Sequence, residues 1–179
     1  RSVADALAVG IRPAIYGSGW HEFVDPELIV SEFIPNAQLP TVYASVDLLL
    51  NDHWDTMRAG GFVSNRIFDV LACGAPVISD DLPAIRDLFG GSVPVYRTSA
   101  DLADLVARAL DDPEGARAAA AEGRAIVLAA HTFDHRAHQH PAVDRVAMLG
   151  PRLEPELVIG EERDCLVEVR AGLGGHAVA

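Results

Sequence analysis

The chain has no lysine: all 14 of its formally basic residues are arginine, against 26 acidic ones, and its net charge is −12. A chain this acidic is a poor partner for a nucleic-acid backbone or for an anionic membrane surface. The absence of lysine also argues against a receiver-like flavodoxin fold, which needs a lysine beside an acidic cluster at its strand ends. Cysteine is equally scarce. Cys73 and Cys165 make neither a disulfide framework nor a zinc motif, and Cys73 reads as a small packed residue within a helix. No apolar run is long enough for a membrane span; Ala125 to Ala130 is too short and is flanked by charge. No secretory leader is visible. These absences lead to the expectation of a soluble cytoplasmic protein with no membrane span and no nucleic-acid partner.

Half of the 179 residues are hydrophobic. At this size about 70% of the unfolded surface can be buried, enough for a sheet covered by helices on both faces. Short apolar runs alternate with helical patterns. Residues 2–9 read as a helix ended by Gly10, and Pro13 to Tyr16 as a strand before the turn Gly17-Ser18-Gly19. Leu28 to Ile34 is a second apolar run, and Asn36 is placed to cap a short helix through Tyr43. Val46 to Asn51 is nearly continuous in apolar character, as in a strand buried on both faces. A polar loop, Asp52 to Val63, follows. Val77–Ile78 and Val93 to Tyr96 read as further strands. Asp80, Asp81 and Pro83 read as the start of a helix. Helices fill Ser99 to Leu110 and Pro113 to Ala130, with Ala103, Leu105, Val106 and Leu110 facing inward, and another starts near Thr132. This alternation predicts an α/β, doubly wound parallel sheet over residues 1–146. Residues 147–179 form a tail without an assigned role, in which Leu157 to Ile159 and Cys165 to Val169 can form short strands.

The most informative stretch is 64–80. Ser64 suits an N-cap, since its hydroxyl can accept from an amide of the first turn. Ile67, Val70 and Leu71 make one apolar face, Gly74 suits the left-handed C-terminal position, and Pro76 stops the helix. The free amides at such a helix start can hold a phosphate. Arg66 and Asp69 lie three residues apart near that open end, a cation and a carboxylate of the kind a sugar nucleotide requires. The alternative is a surface ion pair worth about 0.2–0.5 kcal/mol.

Other residues carry weaker signals. Asp52, His53, Trp54 and Asp55 follow a buried strand, where α/β sites are built: Asp52 or His53 could meet a phosphate or sugar, and Trp54 could stack on a ring. Trp20 could line the same pocket, although core packing suits it better. His131, His135, His138 and His140 have partly helical spacing, but no cysteine or carboxylate stands at ligand spacing, and a solvated helix is the better reading. No metal and no cofactor is expected.

In this order, the phrases Ile-Tyr-Gly-Ser-Gly-Trp (15–20), Tyr-Ala-Ser-Val-Asp-Leu-Leu-Leu-Asn (43–51), Arg-Ile-Phe-Asp-Val-Leu-Ala-Cys-Gly-Ala-Pro-Val-Ile (66–78) and Asp-Leu-Ala-Asp-Leu-Val (101–106) are similar to a known family. Residues 1–145 resemble the C-terminal, donor-binding half of a GT-B glycosyltransferase. More narrowly they resemble the group 1 retaining enzymes and their spore-maturation-protein-like branch. The resemblance implies transfer of a glycosyl group from a nucleotide sugar, without a metal, to an acceptor held by an N-terminal domain. It implies that Gly17 and Ser18 form the turn beside the nucleotide and that Ile34 and Pro35 offer backbone groups to the base. The amides around Ser64, Asn65 and Arg66 would hold the diphosphate, and Asp69 would accept from the ribose hydroxyls, with no catalytic nucleophile or base identified. It further implies that the domain's first strand and the acceptor domain precede Arg1, so that the isolated chain would be inactive. The family usually has glutamate where Asp69 stands, and the first acidic residue of its Glu–x7–Glu pattern has no clear match here, the aligned stretch reading Gly60-Gly61-Phe62. A non-catalytic α/β module that binds a nucleotide or a partner protein is therefore the alternative.

Overall fold

The computed structural model describes residues 1–135 and 166–170. Its helices are α1 (Ser2–Ala8), α2 (Leu39–Ser45), α3 (Asp55–Gly60), α4 (Asn65–Ala72), α5 (Pro83–Phe89), α6 (Ser99–Asp111) and α7 (Pro113–Ala130). The strands are β1 (Ala14–Tyr16), β2 (Ile29–Ser31), β3 (Leu48–Asn51), β4 (Val77–Asp80), β5 (Val95–Tyr96) and β6 (Leu166–Val169). They form one sheet in the order β2-β1-β6-β3-β4-β5.

Alternate residues of a strand face opposite sides, which divides the core in two. Leu48, Leu50, Ile78 and Val167 face α1 and α6, where they meet Val3, Ala6, Leu102 and Val106. Leu49, Val77 and Leu166 face the other way, toward Ile67, Val70 and Leu71 of α4, Ile85 and Phe89 of α5, and Val127 of α7. All four residues of β3 are buried, as its uniform apolar character requires. Leu102 is the fully buried anchor of α6, with Val106 nearly so, while Leu105 and Leu110 are only partly covered.

The sheet is mixed, which corrects the expectation of an all-parallel one. The pairs β1–β2, β3–β4 and β4–β5 are parallel, but β6 runs antiparallel to both of its neighbours. Val167 stands opposite Ile15 on one side and Leu50 on the other. Apolar alternation marks a strand without fixing its direction, and both directions satisfy the backbone. The final segment, given no role from sequence, thus supplies the strand that joins the two halves of the sheet. Glu168 is buried there. Its carboxylate accepts from Arg170 Nε at 2.9 Å and Nη2 at 3.1 Å, and from the Tyr16 hydroxyl at 3.3 Å.

Three local differences have simple causes. The polar loop contains α3, a helix of six residues with no buried side chain and so no apolar face to announce it. Asn36 starts a 3-10 turn through Gln38 rather than capping α2. Asp80 ends β4 and is fully buried, where a helix-start charge was expected. The apolar run at Leu157 to Ile159, together with His138 and His140, lies outside the described residues. Among the described residues no helix is long and apolar enough to cross a membrane.

Because Val167 is buried between two strands, Val167→Asp should cost at least about 3 kcal/mol, the scale of an uncompensated buried charge. Urea unfolding followed by circular dichroism measures this, and an unchanged midpoint would show that β6 contributes nothing to the sheet's stability.

Candidate functional site

A cavity of about 580 Å³ opens at the end of the sheet where β1, β2 and β3 finish and where the antiparallel β6 begins. In doubly wound folds ligands bind outside the carboxyl ends of the strands, and this cavity occupies that position. Its wall takes Tyr16 and Gly17 after β1, Glu32 to Ile34 after β2, Asp52 and Trp54 after β3, and Ser64, Asn65, Arg66 and Asp69 from the start of α4. Asn36, Leu39, Tyr43, Met57 and Leu166 complete it.

Of the residues singled out in the sequence, Gly17, Ile34, Ser64, Asn65, Arg66 and Asp69 therefore come together on one cavity. Ser18 and Pro35 do not line it, although each is next in the chain to a residue that does. Gly17 has φ of 148° and donates its amide to the Ser31 carbonyl at 2.8 Å, a backbone geometry that a side chain would strain. Tyr43, Glu32 and Leu166 were not foreseen. Tyr43 sits on α2 with an ordinary packing pattern, and Leu166 arrives from the far end of the chain.

Ser64 caps α4, its hydroxyl accepting from the Arg66 amide at 3.3 Å. The Ser64 amide itself donates to His53 Nε2 at 3.0 Å. The Ser64 and Arg66 amides, assigned to a diphosphate, thus have protein partners, and a ligand that uses them must displace the cap. Among the described residues Arg66 is the only arginine on the wall, which also carries the carboxylates of Glu32, Asp52 and Asp69. Burial raises the Tyr43 hydroxyl above its ordinary value; Arg66, hydrogen-bonded to it, pulls the other way, and Asp69 adds to the rise. The Asp52 carboxylate accepts from the Ser2 amide at 2.6 Å.

Behind the cavity His53 and Asp80 are both fully buried, with Nδ1 2.6 Å from Oδ1. This removes His53 from the ligand-contacting role considered for it. Arg58 of α3 pairs with the other carboxylate oxygen, and the Ser79 hydroxyl donates to the first at 3.2 Å. Burial opposes the ionisation of Asp80, but the hydrogen bond from His53 and the charge of Arg58 outweigh it and hold the carboxyl below its ordinary value. Asn51 donates to Ser79 Oγ at 3.0 Å beside them.

The remaining candidates fall elsewhere. Trp20 packs partly buried against the core on the α1–α6 side, away from the cavity wall. His131 packs against Phe68 with ring centroids 5.4 Å apart and the ring planes tilted by 58°, and His135 Nδ1 lies 2.6 Å from the Thr132 hydroxyl. Among the described residues no three His, Cys, Asp or Glu side chains are grouped to hold a metal ion.

An α/β sheet covered on both faces, with a polar cavity at the strand ends and a helix start on its rim, is the architecture of the doubly wound class. The comparisons narrow it. The model of one family, described as glycosyl transferase-like, matches residues 1–141, and the chain belongs to that family. No curated protein and no solved structure matched it.

The Asp80 environment predicts an acid-labile term. A depressed carboxyl stabilises the fold at pH values above its unfolded value near 4, and that contribution is lost as pH falls through the folded value. Urea midpoints between pH 7 and pH 3 should show Asp80→Asn weaker than the parent at neutral pH by about 3–5 kcal/mol, the scale of a broken buried pair, with the gap closing in acid. A gap constant across that range would place the effect outside ionisation.

Proposed function

We propose that the cavity binds the nucleotide-sugar donor of a retaining GT-B glycosyltransferase, which passes the glycosyl group to an acceptor held by a separate N-terminal domain. One observation carries this reading: in a chain of a glycosyl transferase-like family, Gly17, Ile34, Ser64, Asn65, Arg66 and Asp69 line a single cavity at the carboxyl ends of the strands. Its volume falls within the usual range of small-ligand sites.

Each wall has a role in that reading. Gly17 lets the backbone come close to the ligand, and Ile34 offers backbone groups to the base. Asp69 accepts from the ribose diol, since one carboxylate can take two hydrogen bonds at once. Arg66 and the first turn of α4 meet the diphosphate and stabilise the charge that grows on it as the sugar departs. Arg66 carries much of this, because the other ionised groups on the wall are acidic and raise the cost of bringing in an anion. The chemistry requires no cofactor beyond the donor. No nucleophile or base is assigned, and the acceptor domain supplies the proximity on which much of the rate depends.

Calorimetric titration with UDP, GDP and TDP tests the donor site. One nucleotide should bind, and Asp69→Ala and Arg66→Ala should each weaken it by more than about 1.4 kcal/mol, a factor of ten. Binding unaffected by either substitution would exclude this wall as the site. A second reading, a binding module without catalysis, is favoured by the stretch Gly60-Gly61-Phe62 standing where the resembled family has an acidic residue. Turnover of a nucleotide sugar by a longer chain that includes an acceptor domain separates the two, because a binding module shows none.

A further inference from the structure

His53 makes two hydrogen bonds, and together they fix its state. A backbone N–H can only donate, so His53 Nε2, 3.0 Å from the Ser64 nitrogen, must be the unprotonated acceptor. The ring proton then resides on Nδ1 and is donated to Asp80 Oδ1 at 2.6 Å. The side chain is wholly buried and is absent from the cavity wall. It meets the start of α4 through Ser64, the cap, whose hydroxyl holds the Arg66 amide.

We propose that neutral His53 is a positioning residue that latches the cavity-lining start of α4, and that its protonation releases the latch and weakens anion binding there. A proton on Nε2 would turn the acceptor into a second donor facing the Ser64 N–H. That bond would break, and a partly buried amide would lose its partner. The charged groups around the ring pull in opposite directions. Asp80 on β4 favours the imidazolium; Arg58 on α3, already paired with Asp80, opposes it, as does the Ser64 amide of the α4 cap. Asp52, beside His53 in the chain, adds a negative charge that its bond from the Ser2 amide partly satisfies. On β5 the buried Tyr96 hydroxyl is raised by burial and by Asp5, Asp52 and Asp80, and stays neutral throughout. The proposal rests on the donor-site reading only for the identity of the anion; the latch itself does not.

The test begins without ligand. In the full chain, nuclear magnetic resonance should show the Ser64 amide shift moving in step with the His53 ring nitrogen signals as the ring is protonated. A Ser64 amide that stays still while the His53 ring gains its second proton overturns the latch, as does a ring that never gains one while the protein stays folded. Two near-isosteric variants then separate the ring nitrogens. His53→Gln places a neutral acceptor near the Nε2 position and should keep the Ser64 shift and remove its pH dependence. His53→Asn keeps a donor near the Nδ1 position toward Asp80 but withdraws the acceptor, and should lose the Ser64 bond. Equal behaviour of the two at Ser64 overturns the assignment. Affinity for whichever of UDP, GDP and TDP binds should fall at least tenfold in His53→Asn and in the parent below its titration. It should stay within about threefold of the neutral parent in His53→Gln. If none of the nucleotides binds, the donor reading fails while the Ser64 measurement still decides the latch, and the parent's own pH series decides it even where a variant does not fold.

Discussion

A carboxylate taken fully out of water has to be met by donors, and at Asp80 that requirement ties together the part of the molecule on which the cavity is built. Asp80 closes β4; His53 comes from the segment after β3, Arg58 from α3, and through His53 the bond continues to the cap of α4. Desolvation alone would keep such a group neutral or expel it. The hydrogen bond from the imidazole and the charge of the guanidinium reverse that outcome. Neither partner is replaceable by packing alone, because an unmet charge at this depth costs several kcal/mol. The stretch from residue 52 to residue 64 is thus pinned from behind, which leaves Asp52, Trp54 and Met57 to face the cavity.

The site is consequently made of parts that are each ordinary. Short strands end side by side and deliver their following residues to one rim, and a helix of eight residues begins there with a serine cap. What distinguishes this rim is its charge. An acidic chain of a glycosyl transferase-like family presents a wall that carries, among the described residues, one arginine and several carboxylates. Long-range attraction cannot draw in a diphosphate under these conditions. On the donor-site reading proposed above, recognition comes from short-range, oriented contacts, and the orientation of the α4 start bears directly on affinity.

Much of the fold was legible because its signals are local. The helix read at Pro113 to Ala130 is α7 with those bounds: Asp112 caps it through the Gly115 amide, Pro113 sits where a missing N–H costs nothing, and the helical pattern runs unbroken. The Ser64 cap and the stop at Gly74-Ala75-Pro76 likewise mark α4. Six of the eight residues named for the site share one cavity because the strand–turn–helix order alone determines which turns meet. The rest depended on contacts that no local pattern encodes. Asp80 before Pro83 looks the same whether it points into solvent or under a sheet, and only Arg58 and His53, distant in the chain, decide it. The polarity of β6 escaped for a similar reason, since Leu-Val-Glu-Val reads as a strand in both directions. The buried glutamate at its centre is tolerated only because Arg170 and Tyr16 happen to meet it.

The place of β6 also has a consequence for how the protein is made. The strand that joins β1 to β3 is the last described element in chain order, and Glu168 lies 152 residues from its partner Tyr16. During synthesis β3, β4 and β5 can pair as soon as they emerge, and so can β1 and β2. The middle of the sheet stays open until residue 169 has left the ribosome. Until then β1 and β3 carry unpaired edges of apolar backbone, the surface that recruits chaperones or neighbouring nascent chains. Closing so large a loop is slow, which makes the insertion of β6 between β1 and β3, rather than the pairing of strands near in sequence, the step at which this sheet is most exposed to loss.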